Sequence, residues 1–140
     1  MRCVLLIGLL VACASEVHAQ SNAILEIVLS RPDAGGTLRV AICPDEASYD
    51  KEKGCIVRSA SASGAVVRVP LTGIATGTYG IKIFHDVNDN GVLDTNWIGI
   101  PTEPYGFSND AMGTFGPPGF KEAAVEIGVP NAVIRIRMKG

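Results

Sequence analysis

The chain has 140 residues, 47% hydrophobic and 19% charged, which is room for one globular domain. Its 12 Lys and Arg against 14 Asp and Glu leave a net charge of -2, without the basic surplus that a nucleic-acid partner requires. Gly at 16 and Pro at 8 favour strands and turns over long helices.

Met1 and Arg2 form a short basic start, Cys3 to Ala12 is an apolar run, and Val17 and Ala19 place small residues at -3 and -1. This is the layout of a secretory signal cleaved after Ala19. The expected organisation is a signal peptide over 1–19, then one domain over 20–140, exported to the periplasm or outside the cell. The run is too short to span a bilayer, so the protein is not expected to be transmembrane. Leu10-Val11-Ala12-Cys13 resembles a lipobox, which would anchor the chain through a lipid on Cys13. It would leave a signal of unusually short length, so simple secretion is the preferred reading.

Period-two alternation runs through the rest of the chain. Leu25, Ile27 and Leu29 share one face of a first strand, and Leu38, Val40 and Ile42 share one face of a second. Cys43 and Cys55 then bracket a polar segment, Pro44 to Gly54, with no core of its own. In an oxidising compartment the pair is expected to form a disulfide contributing about 3 kcal/mol. Nearby residues do not complete a zinc site. A short strand is expected near Ile56 to Arg58. Further strands follow at Val67–Leu71, Tyr79–Ile83, Val125–Ile127 and Ile134–Met138, separated by Gly, Pro and Asn turn signals. The predicted fold is all-β: a single antiparallel β-sandwich, immunoglobulin-like or transthyretin-like, with negligible helix.

The stretch from Asp86 to Glu122 breaks the alternation. It carries Trp97, Tyr105, Phe107, Phe115 and Phe120, five of the chain's eight aromatic residues. These rings are expected to form a small cluster that anchors a long irregular loop.

Within it, Asp86-Val87-Asn88-Asp89-Asn90-Gly91-Val92-Leu93-Asp94 matches the opening of an EF-hand calcium loop. Asp86, Asn88 and Asn90 hold positions 1, 3 and 5, Gly91 supplies the reversal, the Val92 carbonyl adds an oxygen, and Asp94 stands at position 9. Trp97 occupies position 12, where the EF-hand has a bidentate Glu. A cation would therefore need Glu103 or Asp110, or bind weakly, at ~10⁻⁴ to 10⁻³ M. Calcium fits this hard-oxygen set better than magnesium. The alternative is a turn stitched by Asn and Asp side chains bonding backbone amides, with no ion.

His85, the only histidine after residue 19, could act as a base beside Asp86. A single His at a strand end is more often a structural hydrogen-bonder, and the neighbours of Ser108 give no reason to think it activated. No catalytic residue is assigned.

The run His85 to Gly91, then Leu93 to Asn96, then Gly99-Ile100-Pro101-Thr102-Glu103-Pro104-Tyr105-Gly106-Phe107-Ser108-Asn109, resembles the bacterial DUF2141 family of exported proteins. Thr72 to Tyr79 is similar to a turn of that family, with Ala75 where Pro is usual. The resemblance extends from about Leu25 to Met138. It implies domain identity and export, and it implies no reaction, because the family is of unknown function.

The leading expectation is a secreted, non-enzymatic binding or accessory module of unknown partner, with a calcium-stabilised Asp/Asn loop. Two others are a hydrolase using His85 with Asp86 or Glu103, and a carbohydrate-binding module that stacks sugars on Trp97, Tyr105 or Phe107. Ring exposure and the surroundings of His85 discriminate among them.

Overall fold

Each stretch of alternating apolar residues becomes a strand with one face in a shared core. The structure is a computed structural model that describes residues 22–128 and 130–140. The cleavage site after Ala19 and the lipobox at Cys13 lie outside the described residues.

The strands are β1 (Ile24–Val28), β2 (Thr37–Cys43), β3 (Ile56–Ser61), β4 (Val66–Pro70), β5 (Gly77–Asp86), β6 (Tyr105–Phe107), β7 (Ala124–Ile127) and β8 (Val133–Arg137). One sheet has the order β4-β1-β8, and the other runs β3-β2-β5-β6, with β7 also on β5. Between them lie Leu25, Ile27, Leu38, Val40, Ile42, Ile81, Ile83 and Ile136, all buried. The molecule is an all-β sandwich. No helix among the described residues is long and apolar enough to cross a membrane.

Three features depart from the sequence pattern. β1 and β8 pair in parallel, Leu25 opposite Ile134, while the other ladders are antiparallel. The three-residue strand β6 sits inside the stretch expected to be irregular, paired with Lys82–Phe84 of β5. Two short helices, α1 (Glu46–Lys51) and α2 (Phe120–Ala123), also form. The segment Pro44 to Gly54, expected to be only loop, thus holds α1. Asp45 caps this helix by accepting from the Ser48 amide at 2.7 Å, a bond that holds the Asp45 carboxyl below its ordinary pKa.

The segment is tied down twice. Cys43 and Cys55 are joined, as expected, with Cα atoms 4.2 Å apart. Tyr49 of α1 is buried, meets the Phe120 ring edge-on at 5.8 Å and donates its hydroxyl to the Pro118 carbonyl at 3.2 Å. Gly80 makes this possible: a Cβ there would stand 2.6 Å from the Tyr49 ring. Burial, then the charges of Asp50, Glu122 and Glu52, push the Tyr49 hydroxyl up to about 12.

A 3-10 turn, Ser108–Asp110, closes the far side of β5. On that side β7 pairs with Gly77–Gly80 and β6 with Lys82–Phe84, which leaves Ile81 between them. The Ser108 hydroxyl fills the gap, accepting from the Ile81 amide at 2.9 Å and donating to the Ala123 carbonyl. Asn109 donates to the carbonyls of Glu122 and Ala124. Asp110 accepts from the Arg137 amide at 2.7 Å and from its guanidinium at 2.6 Å. Three successive side chains thus tie together β5, residues 122–124 and β8.

Candidate functional site

The 87–104 loop leaves the end of β5 and returns into β6, and its polar side chains turn inward onto its own backbone. Asp86, at the root, is fully buried. Its Oδ1 accepts from the Asn90 amide at 3.0 Å, and its Oδ2 accepts from the Gly91 amide at 2.8 Å. Arg39 of β2 reaches the same Oδ2 through Nε at 3.0 Å and through a terminal nitrogen at 2.9 Å. Burial acts to raise the Asp86 pKa. The Gly91 amide, Arg39 and the Asn90 amide outweigh it and hold the carboxyl below its ordinary value. Gly91 takes φ 84°, the reversal expected of it.

Among the other loop residues singled out, Asn88 Oδ1 accepts from the Asn90 amide at 3.2 Å and Asn90 Oδ1 from the Val92 amide at 3.0 Å. The amide nitrogens of Asn88 and Asn90 both donate to Asp94, at 2.6 Å and 2.9 Å. Asn88, Asn90 and Asp94 are therefore brought together, while Asp86 faces backbone amides and Arg39, and the Val92 side chain is exposed. Among the described residues, no group of three or more His, Cys, Asp or Glu side chains could hold a metal ion. A calcium set here would rest on two carboxylates with amide and carbonyl oxygens.

Glu103, one of two carboxylates expected to supplement the loop, does face it. It is buried and accepts from the Val87 amide at 2.8 Å and the Asp94 amide at 3.1 Å. Asp110 does not, since it belongs to Arg137 of β8.

His85 is fully buried in the sandwich, with Nε2 donating to the Gly35 carbonyl. Its Nδ1 has no partner among the described residues, so no carboxylate orients it as a base would need. The Ser108 hydroxyl is buried and engaged on both sides. Both side chains are shielded from solvent.

The rings divide. Tyr105, Phe107 and Phe120 join Cys43, Tyr49 and Ala123 in a second apolar cluster, and Tyr105 meets Phe107 edge-on at 6.0 Å. Trp97 and Phe115 depart from the expected anchor cluster, at 94% and 103% exposure. The reason at Trp97 is local. The turn is closed by a bridge between Thr95 and Pro101. Asn96 accepts from Ile98 and Ile100 through its side chain, at 3.1 and 2.9 Å, and from Gly99 through its carbonyl at 2.9 Å. The Asn96 amide donates in turn to the Ile100 carbonyl at 2.8 Å. With three of its amides held by Asn96, the turn does not need a buried ring to hold it. Sequence reading missed Arg39 and Asn96. The Asn96-x-x-Gly99 spacing was the available signal for the second, and the first depends on strand register.

A family model described as "Uncharacterized protein conserved in bacteria (DUF2141)" matches residues 28–135. No curated protein and no solved structure matches the chain significantly.

Proposed function

The chain belongs to the DUF2141 family of bacterial proteins, and from that premise we propose that the domain is a non-enzymatic binding or accessory module whose contact surface is the tip of the 87–104 loop. The observation that carries this reading is Trp97, 94% exposed on a turn braced by hydrogen bonds. A ring left in water on a braced turn serves recognition better than folding. Export to the periplasm or beyond is part of the proposal, supported by the Cys43–Cys55 disulfide and the signal-like first nineteen residues.

The test is co-sedimentation of the protein and of Trp97→Ala with a bacterial envelope fraction, and separately with chitin and cellulose. Wild type should be retained by at least one, and the variant about tenfold less at an unchanged melting temperature. No retention, or retention indifferent to Trp97, overturns the reading. Retention by polysaccharide alone would select the sugar-stacking version.

Calcium at Asp86, Asn88, Asn90, Val92 and Asp94 is a separate proposal, supported by the EF-hand spacing and by Glu103 at the loop's base. To bind, a cation must displace the side-chain nitrogens of Asn88 and Asn90 from Asp94, and compete with Arg39 and the Asn90 and Gly91 amides for Asp86. Calcium at a hundredfold above Kd would then add about 2.7 kcal/mol to stability, to be read as a melting shift reversed by chelator. An equal melting temperature with calcium and with chelator overturns it.

A further inference from the structure

The geometry points to a lipid surface of low net charge as the partner of the Trp97 tip, an inference that rests on the binding reading above and names its occupant. Residues 95–101, Thr-Asn-Trp-Ile-Gly-Ile-Pro, contain no charged group. Trp97, Ile98 and Ile100 are all exposed. The amides of Asn96, Ile98, Gly99 and Ile100 all donate within the turn itself. Moving a turn out of water is costly mainly through its unpaired backbone groups, so a turn with four of its amides paired internally crosses into an apolar phase at reduced cost. Trp suits the headgroup level, with an apolar body and an indole N–H that remains hydrated, while the two isoleucines reach the acyl chains.

Other occupants fit less well. A sugar stacked on the indole also needs polar side chains around the ring. Here the neighbours are Ile98 and Ile100, and the Asn96 oxygen is already used twice. The charge of the bilayer follows from the loop: residues 87–104 include Asp89, Asp94 and Glu103 and no Lys or Arg. Such a loop is repelled by anionic headgroups and accepts zwitterionic ones.

Trp97 is the chain's only tryptophan, so tryptophan emission, excited beyond the tyrosine absorption band, reads this tip alone, whatever the N-terminal residues do. The protein is titrated with phosphatidylcholine vesicles, and again with vesicles containing phosphatidylglycerol. The expected result is an emission shift to shorter wavelength on phosphatidylcholine, a several-fold fall in acrylamide quenching, and quenching by brominated acyl chains. Phosphatidylglycerol should weaken the response. Ile98→Ser/Ile100→Ser keeps the fluorophore and should weaken the response about tenfold.

No shift with vesicles, while retention by envelope or polysaccharide still depends on Trp97, overturns the lipid inference and leaves the binding reading standing. Failure of both removes both. A shift that follows protein concentration without lipid makes a second copy the occupant and overturns the inference. A response seen only with anionic vesicles also overturns it.

Discussion

The 44–55 segment between β2 and β3 and the 87–104 loop between β5 and β6 sit at opposite ends of one sheet, since Cys43 lies opposite Gly80 and Thr37 opposite Asp86. The first is held by a covalent bond and a buried ring, the second by carboxylate and amide side chains that collect backbone N–H groups. The means of anchoring decides where aromatic residues go. Where Tyr49 fastens the segment, it must point inward. Where Asp86, Asn96 and Glu103 fasten it, Trp97 is released to face outward.

Removing the inward ring should produce the largest effect. Tyr49→Ala should cost about 3–5 kcal/mol, measured by denaturant unfolding, because it empties a packed site beneath Phe120. Cys43→Ser/Cys55→Ser should follow at about 3 kcal/mol through the unfolded state. At the other end, Glu103→Ala strands the amides of Val87 and Asp94 and should cost about 2 kcal/mol. It should also lower the fluorescence anisotropy of Trp97, a local loosening that the first two variants leave unchanged.

The two ends should also separate in alkali. The Asp86 carboxyl is held below its ordinary value of 3.8. Its contribution is present above that value and is lost as pH falls through the lower folded value. Tyr49 is raised from 10.0 to about 12, so its contribution is complete below pH 10 and is lost as pH rises toward 12. In acid both ends should loosen, the loop through Asp86 and α1 through its Asp45 cap, whereas in alkali hydrogen exchange should show α1 opening before the 87–104 loop. The loop opening first in alkali would break the comparison. Smallest of all, Trp97→Ala should change stability by less than about 0.5 kcal/mol. A larger loss would mean that the ring anchors the loop after all.

The sandwich was legible because alternation is a direct trace of one buried face, and six of the strands showed it, while β3 (Ile-Val-Arg-Ser-Ala-Ser) did not and was expected only as a short strand near Ile56 to Arg58. β6 was not, because a three-residue strand held by Lys82–Phe84 leaves no period to read. α1 was hidden for a related reason: one buried residue, Tyr49, makes no helical stripe. In the loop, the spacing of Asp86, Asn88, Asn90 and Gly91 marked a tight reversal, and of the two carboxylates the sequence offered to supplement it, Glu103 faces the loop and Asp110 does not. The sequence could not separate an oxygen aimed at an ion from one aimed at an amide. It also could not show Arg39 beside Asp86. That contact arises from the β2–β5 register, which places Thr37 opposite Asp86 and Arg39 two residues further along. The exposure of Trp97 was misread because aromatic content alone suggests burial, whereas Asn96 had already met the turn's needs.

The parallel pairing of β1 with β8 has a consequence in time. Glu26, on the central strand of the small sheet, accepts from Arg68 on one neighbour and Arg135 on the other, and Arg135 lies 109 residues further along the chain. Loop closure over such a span must precede any reward from the contact, so the sheet is completed late, with folding on the order of milliseconds to seconds. Until β8 arrives, the second edge of β1 stands open with its amides unpaired, and in that interval the chain is most prone to pair with another copy of itself.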